Sequence, residues 1–183
     1  PCKNTRKNRS GKRNGCRKMI AKEKLNILWS LEQTAEKYAD RVAVSDVNQE
    51  LTWKELVKKA QVIGAELSEK VQPGNPVPVL LEKSSETLAV MLGIVYAGCF
   101  YVPVNPMNPT ERLRKIMEKL DPEVIISDEK GKEQLAAVGN GLENKVMGPE
   151  ALKTATGTEL SEEQYDKKYR GGIFLQRYFQ THY

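Results

Sequence analysis

The chain has 183 residues, 39% of them hydrophobic and 29% charged, with a formal net charge of +5. That length suffices for one domain with its own apolar core, and the composition is that of an ordinary soluble protein. The charge is uneven. Residues 1–24 hold ten Lys or Arg against the single acid Glu23, and the other 159 residues carry 19 basic and 23 acidic groups, a net of −4. The part expected to fold is therefore mildly acidic.

The basic stretch "PCKNTRKNRSGKRNGCRK" lacks apolar periodicity and offers too little apolar surface to order itself. The expectation for residues 1–24 is an unstructured leader or an artefact of the reading frame; a nucleic-acid arm and a targeting segment are the alternatives. The chain begins with Pro1, and its first methionine is Met19. No apolar core of signal-peptide length follows the basic run, so secretion is not expected and the reading is cytoplasmic. Cysteine is sparse (Cys2, Cys16, Cys99) and the one histidine is His182. A four-ligand zinc site and a histidine-dependent triad have no material here.

Regular patterning begins at "LNILWSLEQTAEKYA", where Leu25, Leu28, Trp29, Leu31, Ala35 and Tyr38 fall near one helical face. "RVAVSDV" predicts a strand over Val42–Val47, closed by the turn "DVNQ". In "LTWKEL", Thr52 followed three residues later by Glu55 is a capping box. It starts a helix with Leu56, Ala60, Ile63 and Leu67 at helical spacing, which stops before "QPGNP". A strand over Val77–Leu81, the turn "EKSS" with Ser84 or Ser85 as N-cap, and a helix over Glu86–Tyr96 follow. Gly98 is placed to end that helix, and "CFYVPV" is the next strand. Thr110 caps a helix over Glu111–Leu120 that ends at Pro122, and Val124–Ser127 is a further strand. A brief helix near Lys132–Val138 and a strand near Val146 complete the cycle. This alternation predicts an α/β layered fold with a mostly parallel sheet flanked by helices.

Residues 87–104 form an 18-residue stretch without a charge, close to the length of a membrane span. Gly93, Gly98 and Pro103 interrupt it, and it changes midway from helical to β-branched and aromatic residues. A buried helix followed by a buried strand, with Phe100 and Tyr101 filling space between layers, explains it better than a membrane segment.

Chemistry is scarce. No GxGxxG or GxxxxGK[ST] phosphate loop occurs, and "TATGTE" (154–159) has one glycine and an acid that repels phosphate. Asp121, Glu123, Asp128, Glu129, Glu162 and Glu163 fall at expected turns and helix ends, with no pair aimed at a pocket. Lys83 and Ser84 follow a parallel strand at its carboxyl end, where α/β proteins tend to bind ligands; turn and N-cap duty is the plainer role. Residues 151–183 end in "RGGIFLQRYFQTHY" and break the rhythm of the preceding elements.

Two stretches carry a resemblance. "LTWKEL" (51–56), followed some 40 residues later by "YAGCFYVPVNPMNPTERL" (96–113), resembles the first two motifs of the adenylate-forming (AMP-binding) enzyme superfamily. It points to the amino-acid-adenylating members, namely the adenylation domains of nonribosomal peptide synthetases and the D-alanine–carrier-protein ligases. Leu51, Thr52, Glu55 and Leu56 match the first motif, with Trp53 in place of tyrosine. Ala97, Gly98, Tyr101, Val102, Pro103 and Pro106 match the second, with Tyr96 in place of lysine. The similarity covers roughly residues 25–130.

The resemblance implies an incomplete N-terminal subdomain over 25–150. The complete parent enzyme binds ATP, Mg2+ and an amino acid, forms an acyl-adenylate, and transfers the acyl group to phosphopantetheine on a carrier protein. The family's phosphate loop ending in Pro-Lys-Gly, its adenine and ribose segments and its C-terminal lysine have no counterpart in this sequence. No catalytic, cofactor or metal residue is therefore assigned to this chain, which is expected to be inactive alone. The ten matching residues are expected to be architectural. A reading frame entered ahead of its natural start and broken by a frameshift after about residue 150 accounts for leader and tail. A non-catalytic interaction module is the rival reading. Membrane and nucleic acid are not expected partners.

Overall fold

The structure, a computed structural model, describes residues 27–150. The basic leader and the tail over 151–183 lie outside the described residues.

The chain opens with helix α1 (Ile27–Lys37), which buries Leu28 and Leu31. A short hairpin follows, β1 (Val42–Ser45) with β2 (Glu50–Thr52), and leads directly into α2 (Trp53–Ser68). Four further strands form a parallel sheet: β3 (Pro76–Leu80), β4 (Phe100–Pro103), β5 (Ile125–Ser127) and β6 (Val146–Met147). They are joined by α3 (Ser85–Tyr96), α4 (Thr110–Leu120), and α5 (Glu129–Val138) with a 3-10 turn at Leu142–Lys145. The spatial order is β4-β3-β5-β6. Register runs from Pro76 opposite Phe100 to Val79 opposite Pro103, and then Val79 opposite Ile126 and Ile125 opposite Val146.

Period-two alternation splits the strand side chains between two cores. Val77, Val79, Ile126 and Met147 face one core with Leu56, Ala60, Ile63 and Leu67 of α2 and Ala89, Val90 and Ile94 of α3. Leu80 and Ile125 face the other, with Leu113 and Met117 of α4 and Leu135 of α5. The sheet is thus covered on both faces, which explains why its strands read as continuous apolar runs. The layered, mostly parallel α/β expectation is met.

Several boundaries differ from the sequence reading, each for a local reason. β1 ends at Ser45 rather than Val47 because the Asp46 carboxylate accepts the Asn48 and Gln49 amides at 2.8 and 3.0 Å, starting a tight turn. Nor does β1 join the parallel sheet. The turn over residues 46–49 is too short for a crossover, so β1 returns antiparallel onto β2, which reads in sequence as the lead-in to a helix. Thr110 is not a cap: it is already helical, and Pro109 holds the N-cap position with no side-chain hydrogen bond. That helix ends at Asp121, in the left-handed region with φ 40°, one residue before Pro122. α5 starts three residues early, because Asp128 accepts the Gly131 amide at 2.8 Å and caps it. Tyr101 does not fill space between layers; it is 40% exposed on an edge strand.

Candidate functional site

In a doubly wound sheet the crevice outside the carboxyl ends opens where successive connections leave for opposite faces. Here that point lies between β3, whose helix α3 packs in the first core, and β5, whose helix α5 packs in the second. Residues 81–84 and 127–129 border it. Ser84 is the N-cap of α3 and accepts the Thr87 amide at 3.1 Å, while the Thr87 hydroxyl donates to the Glu82 carbonyl at 2.6 Å. Ser127, fully buried, donates to the Leu80 carbonyl at 3.2 Å and ties the ends of the two strands together. Gly131 makes that contact possible, since a Cβ there would stand 2.0 Å from the Ser127 hydroxyl. Lys83 and Glu82 are exposed beside these caps. Turn and N-cap duty is therefore what this edge shows for Ser84.

The first motif forms a joint between the hairpin and α2. The Thr52 amide donates to Glu55 Oε2 at 2.9 Å, and the Glu55 amide donates to Thr52 Oγ1 at 3.3 Å. The Thr52 amide, then its hydroxyl, hold the Glu55 carboxyl below its ordinary range. Leu51 and Leu56, on either side, are buried in the first core.

The second motif forms the joint between α3 and β4. Gly98 has φ 77°, a region in which a side chain would be strained. Its amide donates to the Val95 carbonyl at 3.0 Å and the Cys99 amide to the Ile94 carbonyl at 3.1 Å, the paired bonds of a Schellman ending. Ala97 is the buried C-cap, and Val102 packs against the second core. Pro103 lies exposed on the edge strand β4, where a missing N–H costs no ladder bond. After the strand, the Asn108 amide donates to the Asn105 carbonyl at 3.0 Å, placing Pro106 where a turn favours a fixed φ. Tyr96 is 1% exposed and donates its hydroxyl to Glu32 of α1 at 2.8 Å.

These ten residues do not converge on one cavity. They sit at the start of α2 and the end of α3, linked through the packing of those helices. A Cβ at Gly64 would lie 2.4 Å from Tyr96 Cβ, and one at Gly93 would lie 2.4 Å from Ile63 Cγ2, so small residues set the approach. A cleft of about 190 Å³ among α4, α5 and the 3-10 turn, at the opposite edge of the sheet, is lined by Arg114, Met117, Asp121, Leu142 and Lys145. Its cations are already paired, Arg114 with Glu111 and Glu118 and Lys145 with Asp121.

Sequence reasoning misses one polar cluster. Asp46 Oδ2 accepts the Ser85 amide at 2.7 Å. Gln49 Nε2 donates to Ser85 Oγ at 2.8 Å and to Glu86 Oε1 at 2.9 Å, and Lys59 pairs with the same Glu86 oxygen at 2.5 Å. The Ser85 amide, then the Ser85 hydroxyl, push the Asp46 carboxyl far below the usual carboxylate range. "DVNQ" signals the turn, but not the helix 39 residues away that the turn reaches.

The chemistry of this edge does not fit a Mg2+–phosphate group. Asp46, Glu86 and Asp128 already serve amides and a cation, while Glu82 and Glu129 stand exposed on its rim. Among the described residues no three His, Cys, Asp or Glu side chains are grouped to hold a metal ion. None of their helices is long and apolar enough to cross a membrane.

The four-stranded parallel sheet with helices on both faces defines the class: an α/β domain of the kind found in adenylation N-terminal subdomains. One such neighbour is the Klebsiella oxytoca NpsA N-terminal subdomain in complex with 3-hydroxybenzoyl-AMSN, at TM-score 0.64 and 20% identity, covering 74% of this chain and 33% of that one. VinN in complex with 3-methylaspartate superposes at TM-score 0.64 with 24% identity, covering 83% of this chain and 38% of that one. At these identities the likeness is one of fold.

Sequence comparison carries the assignment further. The model of the AMP-binding enzyme family matches residues 31–171, and the chain belongs to that family. Bacitracin synthase 1 of Bacillus licheniformis is 37% identical over 107 residues, 58% of this chain and 2% of that protein. Tyrocidine synthase 1 of Brevibacillus parabrevis is 32% identical over 132 residues, 72% of this chain and 12% of that protein. The chain thus spans a small part of the length of the relatives it matches.

Proposed function

We propose that this chain supplies the first α/β layer of an amino-acid-adenylating domain that serves a carrier protein, and does not form acyl-adenylate by itself. The observation that carries this is the family match over residues 31–171 together with the placing of both motifs as joints rather than as reactive groups. In this reading residues 25–150 are the partial domain, with 1–24 a leader and 151–183 a tail. ATP, Mg2+, the amino acid and the phosphopantetheine arm of a carrier protein meet the complete enzyme.

The physical ground is charge. Attack of a carboxylate on the ATP α-phosphate needs cationic groups and metal fixed where charge develops. Asp46, Glu86 and Asp128 beside the switch point are engaged elsewhere, and Lys83 alone cannot supply that field.

A chimaera tests the proposal. Residues 27–150 replace the aligned segment of the tyrocidine synthase 1 adenylation domain, and ATP–pyrophosphate exchange is measured with a panel of amino acids, beside the 183-residue chain alone. Amino-acid-dependent exchange by the chimaera and none by the chain alone is expected. A chimaera that folds but does not exchange, or a chain that exchanges unaided, overturns it.

A further inference from the structure

The hairpin β1–β2 is fastened at two ends by different means. At its open end the Trp53 amide donates to the Arg41 carbonyl at 3.0 Å and the Lys54 amide to the Ala39 carbonyl at 3.1 Å. Leu51 is buried there and the capping box leads straight into α2, so this end is part of the core. At its turn end the attachment is polar and passes through two side chains. Asp46 accepts the Ser85 amide, and Gln49 donates through Nε2 to the Ser85 hydroxyl oxygen and to Glu86. Val47, between them, is 99% exposed and adds no apolar contact. The ladder is short, three register pairs with an irregularity between Val42 and Val44.

We infer that the hairpin is a latched flap, hinged at Arg41–Trp53 and closed by Asp46 and Gln49 over the first turn of α3. Ala43, Val44 and Leu51 pack against the first core, so it is the turn end, held by polar bonds, that lies at the low-stability end of the molecule, where segments open without unfolding the rest. Opening frees the Ser85 amide and removes Gln49 from Glu86, which keeps its pairing with Lys59. The latch lies at the carboxyl edge of the sheet, because α3 begins directly after β3. The flap therefore controls access to that edge beside the switch point. This inference rests on hydrogen bonds within the described residues and stands apart from the proposed function.

Amide hydrogen exchange on the full 183-residue chain tests it. In the unaltered protein at low urea, the amides of the turn segment 46–49 and the Ser85 amide are expected to exchange together, ahead of those in β3 and β5. Asp46→Ala is expected to speed exchange of both segments about tenfold or more, since it removes bonds to a charged acceptor. Gln49→Ala does the same to a smaller degree, with β3 and β5 unchanged. Exchange of the flap in step with β3 and β5 overturns the inference, as does an Asp46→Ala variant that leaves the Ser85 amide fully protected. Should Asp46→Ala fail to fold, Gln49→Ala and the urea series still decide between these outcomes.

Discussion

Gly64→Ala offers the sharpest test of how α2 and α3 are set against one another. Within a helix, glycine to alanine ordinarily stabilises by about 1 kcal/mol, because alanine loses less backbone freedom. Here the added methyl stands 2.4 Å from Tyr96 Cβ, 3.0 Å from the Gly93 carbonyl oxygen and 3.3 Å from the Tyr96 carbonyl carbon. These are atoms fixed to the backbone of α3, and no rotamer change moves them. Relief requires the helices to separate across a core that contains Ile63, Leu67 and Ile94. Overpacking of this kind costs about 1–3 kcal/mol, and a clash against backbone belongs at the upper end. The net expectation is a loss of about 1–2 kcal/mol. With a urea slope of roughly 1–3 kcal/mol per molar, the unfolding midpoint drops by about 0.3–2 M. Circular dichroism in a urea series reads this directly. A midpoint that is unchanged or raised would show that the helices are not held apart by residue size at this point.

Three other measurements follow. Thr52→Ala removes the hydroxyl half of the capping box, leaving the Thr52 amide to Glu55 bond in place, and is expected to cost about 1 kcal/mol in the same urea assay. Tyr96→Phe strips the hydroxyl from a buried ring and leaves Glu32 without that donor, so a loss of about 1 kcal/mol is expected; a double-mutant cycle with Glu32→Ala should return most of it as coupling. Burial pushes the Cys99 thiol up from 9.0 to about 11, so in a Cys2→Ser, Cys16→Ser background it should resist alkylation at pH 8 until urea unfolds the chain. The same shift sets a sign: the folded state keeps its proton while the unfolded thiol releases it, so stability declines as pH rises from about 9 to about 11. Rapid labelling of the folded chain, or stability that rises across that window, would contradict the burial of Cys99.

What can be read from sequence is whatever is encoded locally. The Thr52–Glu55 box, the Gly98 stop and the apolar spacing of α2 involve neighbours within four residues, and the structure places all three as expected. The hairpin escapes a sequence reading because β2 has three residues and its pattern is absorbed by the helix that follows. The Asp46–Ser85 contact escapes it because nothing within a turn-length of Asp46 marks its partner. Thr110 reads as a cap since its hydroxyl suits the role; Pro109, one residue earlier, already holds the extended backbone that precedes a helix. Tyr101 reads as interior because a strand's pattern does not say whether the strand is central or at an edge.

The two family motifs are legible for a related reason. A joint needs one particular chemistry: a hydroxyl that accepts an N3 amide, a residue that tolerates φ 77°, or an imino residue at a sheet edge. A core position accepts many apolar side chains of about the right volume. So a chain can display its kinship through the residues that start and stop its helices while showing none of the groups that would react. Both joints belong to helices on the same face of the sheet, and Gly64 against Tyr96 and Gly93 against Ile63 lock those helices together. The joints therefore do more than label the family. They fix where α2 begins and where α3 ends, and through the packing of those two helices they hold α3, whose Ser84-capped first turn lies at the carboxyl edge of the sheet.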